Sequence, residues 1–559
     1  MTATIRNPII RGCNPDPSIL RVGDDYYIAT STFEWMPGIQ IHHSRDLANW
    51  RLIGHVLTKD TGVDLRGVID SAGIWAPSLS YHDGLFYIVY TVVRTRVGAF
   101  KDVLNYVVTS TGILGPWSEP VFLNASGFDP SLFHDDDGRK WVVNVQWDNR
   151  PDRPSFAGIV LQEYDAQARG LIGPIKTILR KECLIEGPNL YKHDGRYYLM
   201  LAEGGTGWNH GISMARADSV DGPYECDPAT AVLTSRDDAA YPLQKAGHGE
   251  LVQTQSGAWY LAHLASRPIG QDRRCMLGRE TCLQRVVWTD DGWLRLKSGR
   301  TAPALQAASV LDECQWDAES TRDDFDAETL GLQWASLRAP VSDDWASLSS
   351  RPGWLRLRGR ESLHSLFDQS LVARRVEESF AVAETCLEFA PKHFSQSAGL
   401  VCWYDTKTHY YLRVTRDEDM GVVIGIAYTD DGQYGELNES RIVADEWDRF
   451  YLRAEIEEER LQFFASPDGK TWSRVGPVLD ASKLSDDYGA GLHFTGAFIG
   501  LCAQDFVGRA AVADFDYFSL KYELAANITR TLRFSHSVTG NSGNLNAVAG
   551  AGSFVPGRP

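Results

Sequence analysis

No run of about 18 apolar residues occurs in the sequence, so no segment is expected to cross a bilayer as a helix. The opening stretch, Met1-Thr-Ala-Thr-Ile-Arg-Asn-Pro-Ile-Ile-Arg-Gly-Cys13, is too polar and too often charged for the apolar core of a secretory signal, and a cytoplasmic location is expected. Cysteine occurs nine times but never as Cys-x-x-Cys and never at regular spacing, which argues against a disulfide framework or a zinc site and for buried free thiols. Positive charge is in short supply: 55 Lys and Arg against 73 Asp and Glu give a net charge of -18. Nucleic acid and anionic membrane attract basic surfaces and are not expected partners, whereas a neutral substrate such as a sugar is compatible. What is present, 43% hydrophobic and 23% charged over 559 residues, is the composition of a folded protein too long for one core, hence two domains.

A turn followed by an aromatic, β-prone strand recurs five times: Gly23-Asp-Asp-Tyr-Tyr-Ile28, Asp83-Gly-Leu-Phe-Tyr-Ile88, Asp137-Gly-Arg-Lys-Trp-Val142, Asp194-Gly-Arg-Tyr-Tyr-Leu199 and Ser256-Gly-Ala-Trp-Tyr-Leu261. Asp-Gly is a strong hairpin signal because its second residue tolerates positive φ. The copies lie roughly 55 to 60 residues apart, room for four short strands, so a five-bladed β-propeller is predicted.

Ahead of each aromatic strand lies a second repeated segment: Asp16-Pro-Ser, Ala76-Pro-Ser, Asp129-Pro-Ser, Glu186-Gly-Pro and His248-Gly-Glu. The first strand of each blade lines the central channel, so Asp16, Trp75 with Ala76, Asp129, Glu186 and His248 are expected to converge in register on one space. As isolated motifs these are ordinary turn residues. Three carboxylates at one axis, however, raise the energy and need a use. Cleaving a glycosidic bond needs an acid for the leaving oxygen and a carboxylate that attacks or activates water. A third carboxylate keeps the acid protonated, and Glu186, with its longer arm, is the candidate acid. Phe33, Trp35, Trp75, Trp147 and Trp208 offer faces for sugar rings, and Arg279 a donor for a hydroxyl or carboxylate.

Asn14-Pro-Asp-Pro-Ser18, Gly73-Ile-Trp-Ala-Pro77, Phe128-Asp-Pro-Ser-Leu132, Glu186-Gly-Pro188, Gly247-His-Gly249 and Leu277-Gly-Arg-Glu-Thr281 together resemble glycoside hydrolase family 43, above all its β-xylosidase branch. The likeness runs on to Leu501-Cys-Ala-Gln-Asp505 and Asp514-Phe-Asp-Tyr-Phe518, which look like the sandwich that this branch carries after its propeller. The resemblance implies an inverting exo-hydrolase acting on xylo-oligosaccharides, with Asp16 as general base, Asp129 as pKa modulator and orienter, and Glu186 as general acid. It implies that His248 and Arg279 hold the terminal sugar between Phe33 and Trp75, and that a sandwich phenylalanine closes the pocket, Phe498 being the best match and Phe494 and Phe506 the alternatives. It allows a homo-oligomer, dimer or tetramer. Asn189 and Ser78 depart from the residues common after the Glu-Gly-Pro and Trp-Ala-Pro motifs. Phe128 stands where a related retaining class carries Arg. The same propeller also suits an α-L-arabinofuranosidase; a non-catalytic sugar-binding propeller is the reading from another class.

Residues 1–310 are thus assigned to the propeller. Residues 325–522 alternate apolar and polar over short strands, as in Ser379-Phe-Ala-Val-Ala-Glu-Thr-Cys-Leu-Glu-Phe389, and are assigned to an antiparallel β-sandwich; the resemblance implies that it is a concanavalin-like jelly roll that contributes to the pocket. No cofactor is required, and no metal is assigned to the catalytic set. Asp324, Asp326 and Asp514 offer oxygen ligands for a structural calcium in the sandwich. Residues 525–559, rich in Asn, Thr, Ser, Gly and Ala, read as a flexible tail.

Overall fold

The computed structural model describes residues 2–229 and 231–522, whose regular elements are β-strands apart from three short 3-10 turns; the tail assigned to 525–559 lies outside the described residues. Each of the five turn signals closes a hairpin between the first two strands of one sheet, pairing Val22 with Asp25, His82 with Leu85, His134 with Lys140, His193 with Arg196 and Gln253 with Trp259. At Asp83-Gly84 and Asp194-Gly195 both turn residues take positive φ, a geometry whose twist matches the flanking strands.

Five antiparallel sheets follow, over residues 18–57, 73–124, 127–179, 185–234 and 244–296, each of four strands except the fourth, which adds Leu233–Thr234. The first strand of each sheet contacts the first strand of the next, and the fifth returns to the first, so the ring is closed. The N-terminal segment seals it: Ile10 bridges to Thr281, and the Asn7 side chain donates to the carbonyls of Leu283 and Ala304 at 2.9 and 2.8 Å.

Residues 322–522 form two facing sheets. The outer strands of one are Ala346–Ser347 and Ser473–Asp480; the other runs from Gln433–Glu436 through Phe498–Asp505 and Ser370–Arg375 to Ala335–Leu337. Alternation places Leu387, Leu400, Leu412, Leu452, Phe463 and Phe515 between them as a dry core. The second sheet does not stop at the domain edge. Propeller strand Trp35–Met36 adds to it, Met36 opposite Ser336 and Trp35 opposite Leu337, so one sheet is built from both domains. Beside this seam the fully buried Arg338 donates to the Val68 carbonyl at 2.6 Å and to Asp70 Oδ1 at 2.7 Å.

Candidate active site

Asp16, Ala76, Asp129, Gly187 and His248 share one backbone conformation, with φ of 55, 37, 53, 54 and 39°. In blades two to five each sits at a break in the register between the first and second strands, a bulge that turns a side chain toward the axis. A left-handed non-glycine residue costs roughly 1–2 kcal/mol. Ala76 bears that cost without any chemistry, so the conformation belongs to the blade, and the reaction to whatever side chain is hung on it.

The five-fold register corrects one expectation. Gly187, not Glu186, occupies the position of Asp16 and Asp129, and Glu186 aligns with Trp75 and Phe128, one residue outward. A Cβ on Gly187 would fall 2.7 Å from the His248 ring, so this bulge needs glycine both for its φ and for the neighbouring imidazole.

Asp16, Asp129, Glu186, His248 and Arg279 line one cavity of about 60 Å³, together with Phe33, Trp75, Phe128, Thr206, His210 and Phe494. Asp16 accepts from Ser31 Oγ at 2.7 Å, meets His248 Nδ1 at 3.1 Å and lies 3.5 Å from Arg279 Nη1. Burial opposes its charge, but Arg279, the His248 hydrogen bond and charge, and Ser31 outweigh that and hold its carboxyl well below the usual range. His248 responds in kind: burial lowers it, the bond to and charge of Asp16 raise it more, and it is pushed up to about 9. Asp129 accepts from the Gly187 N–H at 3.1 Å. Burial, and next the charge of Asp129, push Glu186 up; burial likewise raises Asp129. One carboxylate is thus held ionised and another held protonated within a single cavity, the separation that acid–base pairs require.

Beyond this cavity lies a wider recess of about 850 Å³, lined by Lys101, Trp147, Phe156, Trp208 and residues of the sandwich loop 486–494. Glu186 and Arg279 line both spaces, whereas Asp16 and Asp129 line the inner one but not the recess.

Residues 5–294 match the family described as Glycosyl hydrolases family 43, and 322–521 the Beta xylosidase C-terminal Concanavalin A-like domain. A beta-xylosidase of Bacillus subtilis (strain 168) is 45% identical over 92% of this chain and 99% of its own length. A xylosidase/arabinosidase 43B of Humicola insolens is 47% identical over 92% and 97%. The crystal structure of a xylan beta-1,4-xylosidase from Bacillus halodurans C-125 superposes with a TM-score of 0.91 at 52% identity, covering 92% of this chain and all of that one. The chain belongs to glycosyl hydrolase family 43.

Within this family 43 cavity the phenylalanine supplied by the sandwich is Phe494. Its ring stacks 6.0 Å from Phe33 and stands edge-on to Trp75 at 5.5 Å, and its N–H donates to Ser71 Oγ at 3.1 Å. Phe498, the expected match, starts a sandwich strand and faces the seam instead, stacked 3.9 Å from Trp35. Phe506 is exposed elsewhere on the sandwich. Trp147 belongs to the outer recess, with Lys101 Nζ 4.4 Å from its ring centre. Trp208 is there too, with Arg273 over its ring. Ala76 lies beneath the carboxylates, donating its N–H to Ser31 Oγ at 2.7 Å.

Three lining residues were missed by motif reading. Phe128 stood inside a quoted motif, and its alignment with Trp75 was the available signal. Thr206 accepts from Arg279 Nη1 at 3.0 Å. His210 is buried, its Nδ1 3.0 Å from the Lys245 carbonyl and its Nε2 without a partner among the described residues. Both lie in an irregular stretch after the second strand of blade four, where no repeat marks them.

Two of the three expected calcium ligands, Asp514 and Asp324, pair with cations. Asp514 accepts from Arg356 and Arg351, and Asp324 from Arg322. Among the described residues no group of three or more His, Cys, Asp or Glu is arranged to hold a metal.

Proposed function

We propose that the protein is an exo-acting β-xylosidase that removes single xylose residues from the non-reducing end of short xylo-oligosaccharides with inversion of configuration. The observation that carries this reading is the place of Glu186 at the neck between a small inner cavity and a broad outer recess. A terminal pentose in the inner cavity, flanked by Phe33, Trp75 and Phe494, leaves the rest of the chain in the recess and its glycosidic oxygen beside Glu186. Glu186, held protonated, gives its proton to that oxygen as the C–O bond breaks. Asp16, held ionised, takes a proton from the water that bonds to the anomeric carbon from the opposite side. Asp129 orients the Gly187 amide and keeps Glu186 protonated; Arg279 and His248 hold sugar hydroxyls while restraining Asp16.

Proton NMR of xylobiose during the first turnovers is expected to show α-xylose before mutarotation. β-Xylose as first product would remove Asp16 from the role of base. Arabinofuranosidase activity in the same cavity is the second reading, favoured by the similarity to the xylosidase/arabinosidase 43B of Humicola insolens; rates on nitrophenyl xyloside and arabinofuranoside apportion the two.

A further inference from the structure

We propose that the junction of propeller and sandwich holds a second ligand site, for a small oxyanion, centred on Arg375. A cavity of about 240 Å³ opens there and shares no lining residue with the carboxylate cavity or its recess. Arg375 is 8% exposed. Its Nε donates to the Cys13 carbonyl at 2.8 Å, and among the described residues no carboxylate comes within ion-pair distance of its guanidinium. Glu319 and Glu377 are on the cavity wall, and the charge of Glu377 acts on Arg375 without a direct ion pair. A buried guanidinium with no carboxylate in direct contact leaves room for an anion at its free edge.

Neutral groups complete the site. Gln40 Oε1 and His42 Nδ1 are buried without a hydrogen-bond partner among the described residues, on residues 3% and 6% exposed that line the same cavity. Burial, and the charge of Arg375 beside it, hold His42 down at about 3, so it is a neutral imidazole. Arg374 lines the cavity and, among the described residues, has no carboxylate within ion-pair distance either. The guanidinium fork of Arg375 suits carboxylate and phosphate, Arg374 on the same cavity wall adds positive charge, and Gln40 Oε1 accepts a hydroxyl that a hydrogen phosphate and a sugar acid both carry. Trp50 on the wall gives a sugar ring a face to cover. The shared ligand chemistry is a small hydroxylated oxyanion, either inorganic phosphate or the carboxylate of a monosaccharide acid.

Calorimetric titration of the full chain with sodium phosphate and with sodium glucuronate, xylose serving as neutral control, tests this. Saturable one-site binding of either anion is expected, weakened about tenfold or more in Arg374→Ala and in Arg375→Met, the worth of one charge-assisted hydrogen bond, with xyloside hydrolysis retained by Arg374→Ala. Phosphate binding alone identifies a free anion, glucuronate binding alone a sugar acid. Should Arg375→Met not fold, Gln40→Met takes its place in the comparison. Binding that survives Arg375→Met, or that competes with substrate, would put the anion outside this cavity and overturn the proposal. Failure of both anions to bind would overturn it equally.

Discussion

A carboxylate's role in the axial cavity is set by its partners rather than by its type. Asp16 has cationic neighbours on two sides, His248 and Arg279, and remains charged. Glu186 has Asp129 as its largest charged influence after burial and remains protonated. Activity requires Asp16 ionised and Glu186 neutral, so it falls at low pH as Asp16 gains a proton at its depressed pKa, and at high pH as Glu186 loses one at its raised pKa. Asp129→Asn removes the negative charge that lifts Glu186 while keeping an oxygen for the Gly187 N–H. The alkaline limb of kcat against pH is therefore expected to move toward acid by about one unit or more. The acid limb, governed by Asp16, moves less. An alkaline limb left where it was in Asp129→Asn would mean that burial alone protonates Glu186.

At the scale of elements, two phenylalanines four residues apart do unrelated work. Phe494 precedes the strand, in a loop that returns to the propeller through Ser71 and places its ring over the sugar cavity. Phe498 opens the strand, where pleating commits it to the Trp35 stack inside the seam. Phe494→Ala is expected to raise KM for xylobiose about tenfold, the loss of one aromatic wall, with little change in unfolding free energy. Phe498→Ala is expected to cost about 3 kcal/mol or more of stability by urea denaturation, with KM near wild type in the protein that stays folded. Equal effects of the two on KM would dissolve the distinction.

The same pair marks where sequence reading reached its limit. The blades were legible because each hairpin carries its own turn chemistry, Asp83-Gly84 or Asp194-Gly195, and local signals repeat five times. The axial acids were legible for the same reason. The choice of Phe494 over Phe498 was not, since it depends on which residue begins the strand and on contacts more than 400 residues away in sequence, from Phe494 to Ser71 and from Phe498 to Trp35. Glu186 was found, but its one-residue offset shows only when Gly187 is seen to take the left-handed position. Thr206 and His210 lie where neither periodicity nor repeat speaks.

At the scale of the whole molecule, the cavity is a property of both domains, because its walls come from the propeller and its closing ring from the sandwich. The pairing of Trp35–Met36 with Ala335–Leu337 makes the sheet continuous across the seam, and Arg338 fastens it by holding Val68 and Asp70. Asp70 also accepts from Thr406 of the sandwich and immediately precedes Ser71, whose carbonyl receives the Trp75 indole N–H at 3.1 Å and whose hydroxyl receives the Phe494 N–H. One buried ion pair therefore stands behind two walls of the sugar cavity. Arg338→Ala leaves Asp70 without its cation and is expected to cost about 3 kcal/mol or more. It is also expected to raise KM for xylobiose, since the Ser71 segment loses its tie to the sandwich, while the pH limbs, set by groups at the axis, stay in place. Urea denaturation together with a pH–rate profile separates these effects: lower stability and a higher KM with unmoved limbs show that the seam shapes the cavity without entering its proton chemistry, whereas shifted limbs would mean that the seam reaches the carboxylates themselves.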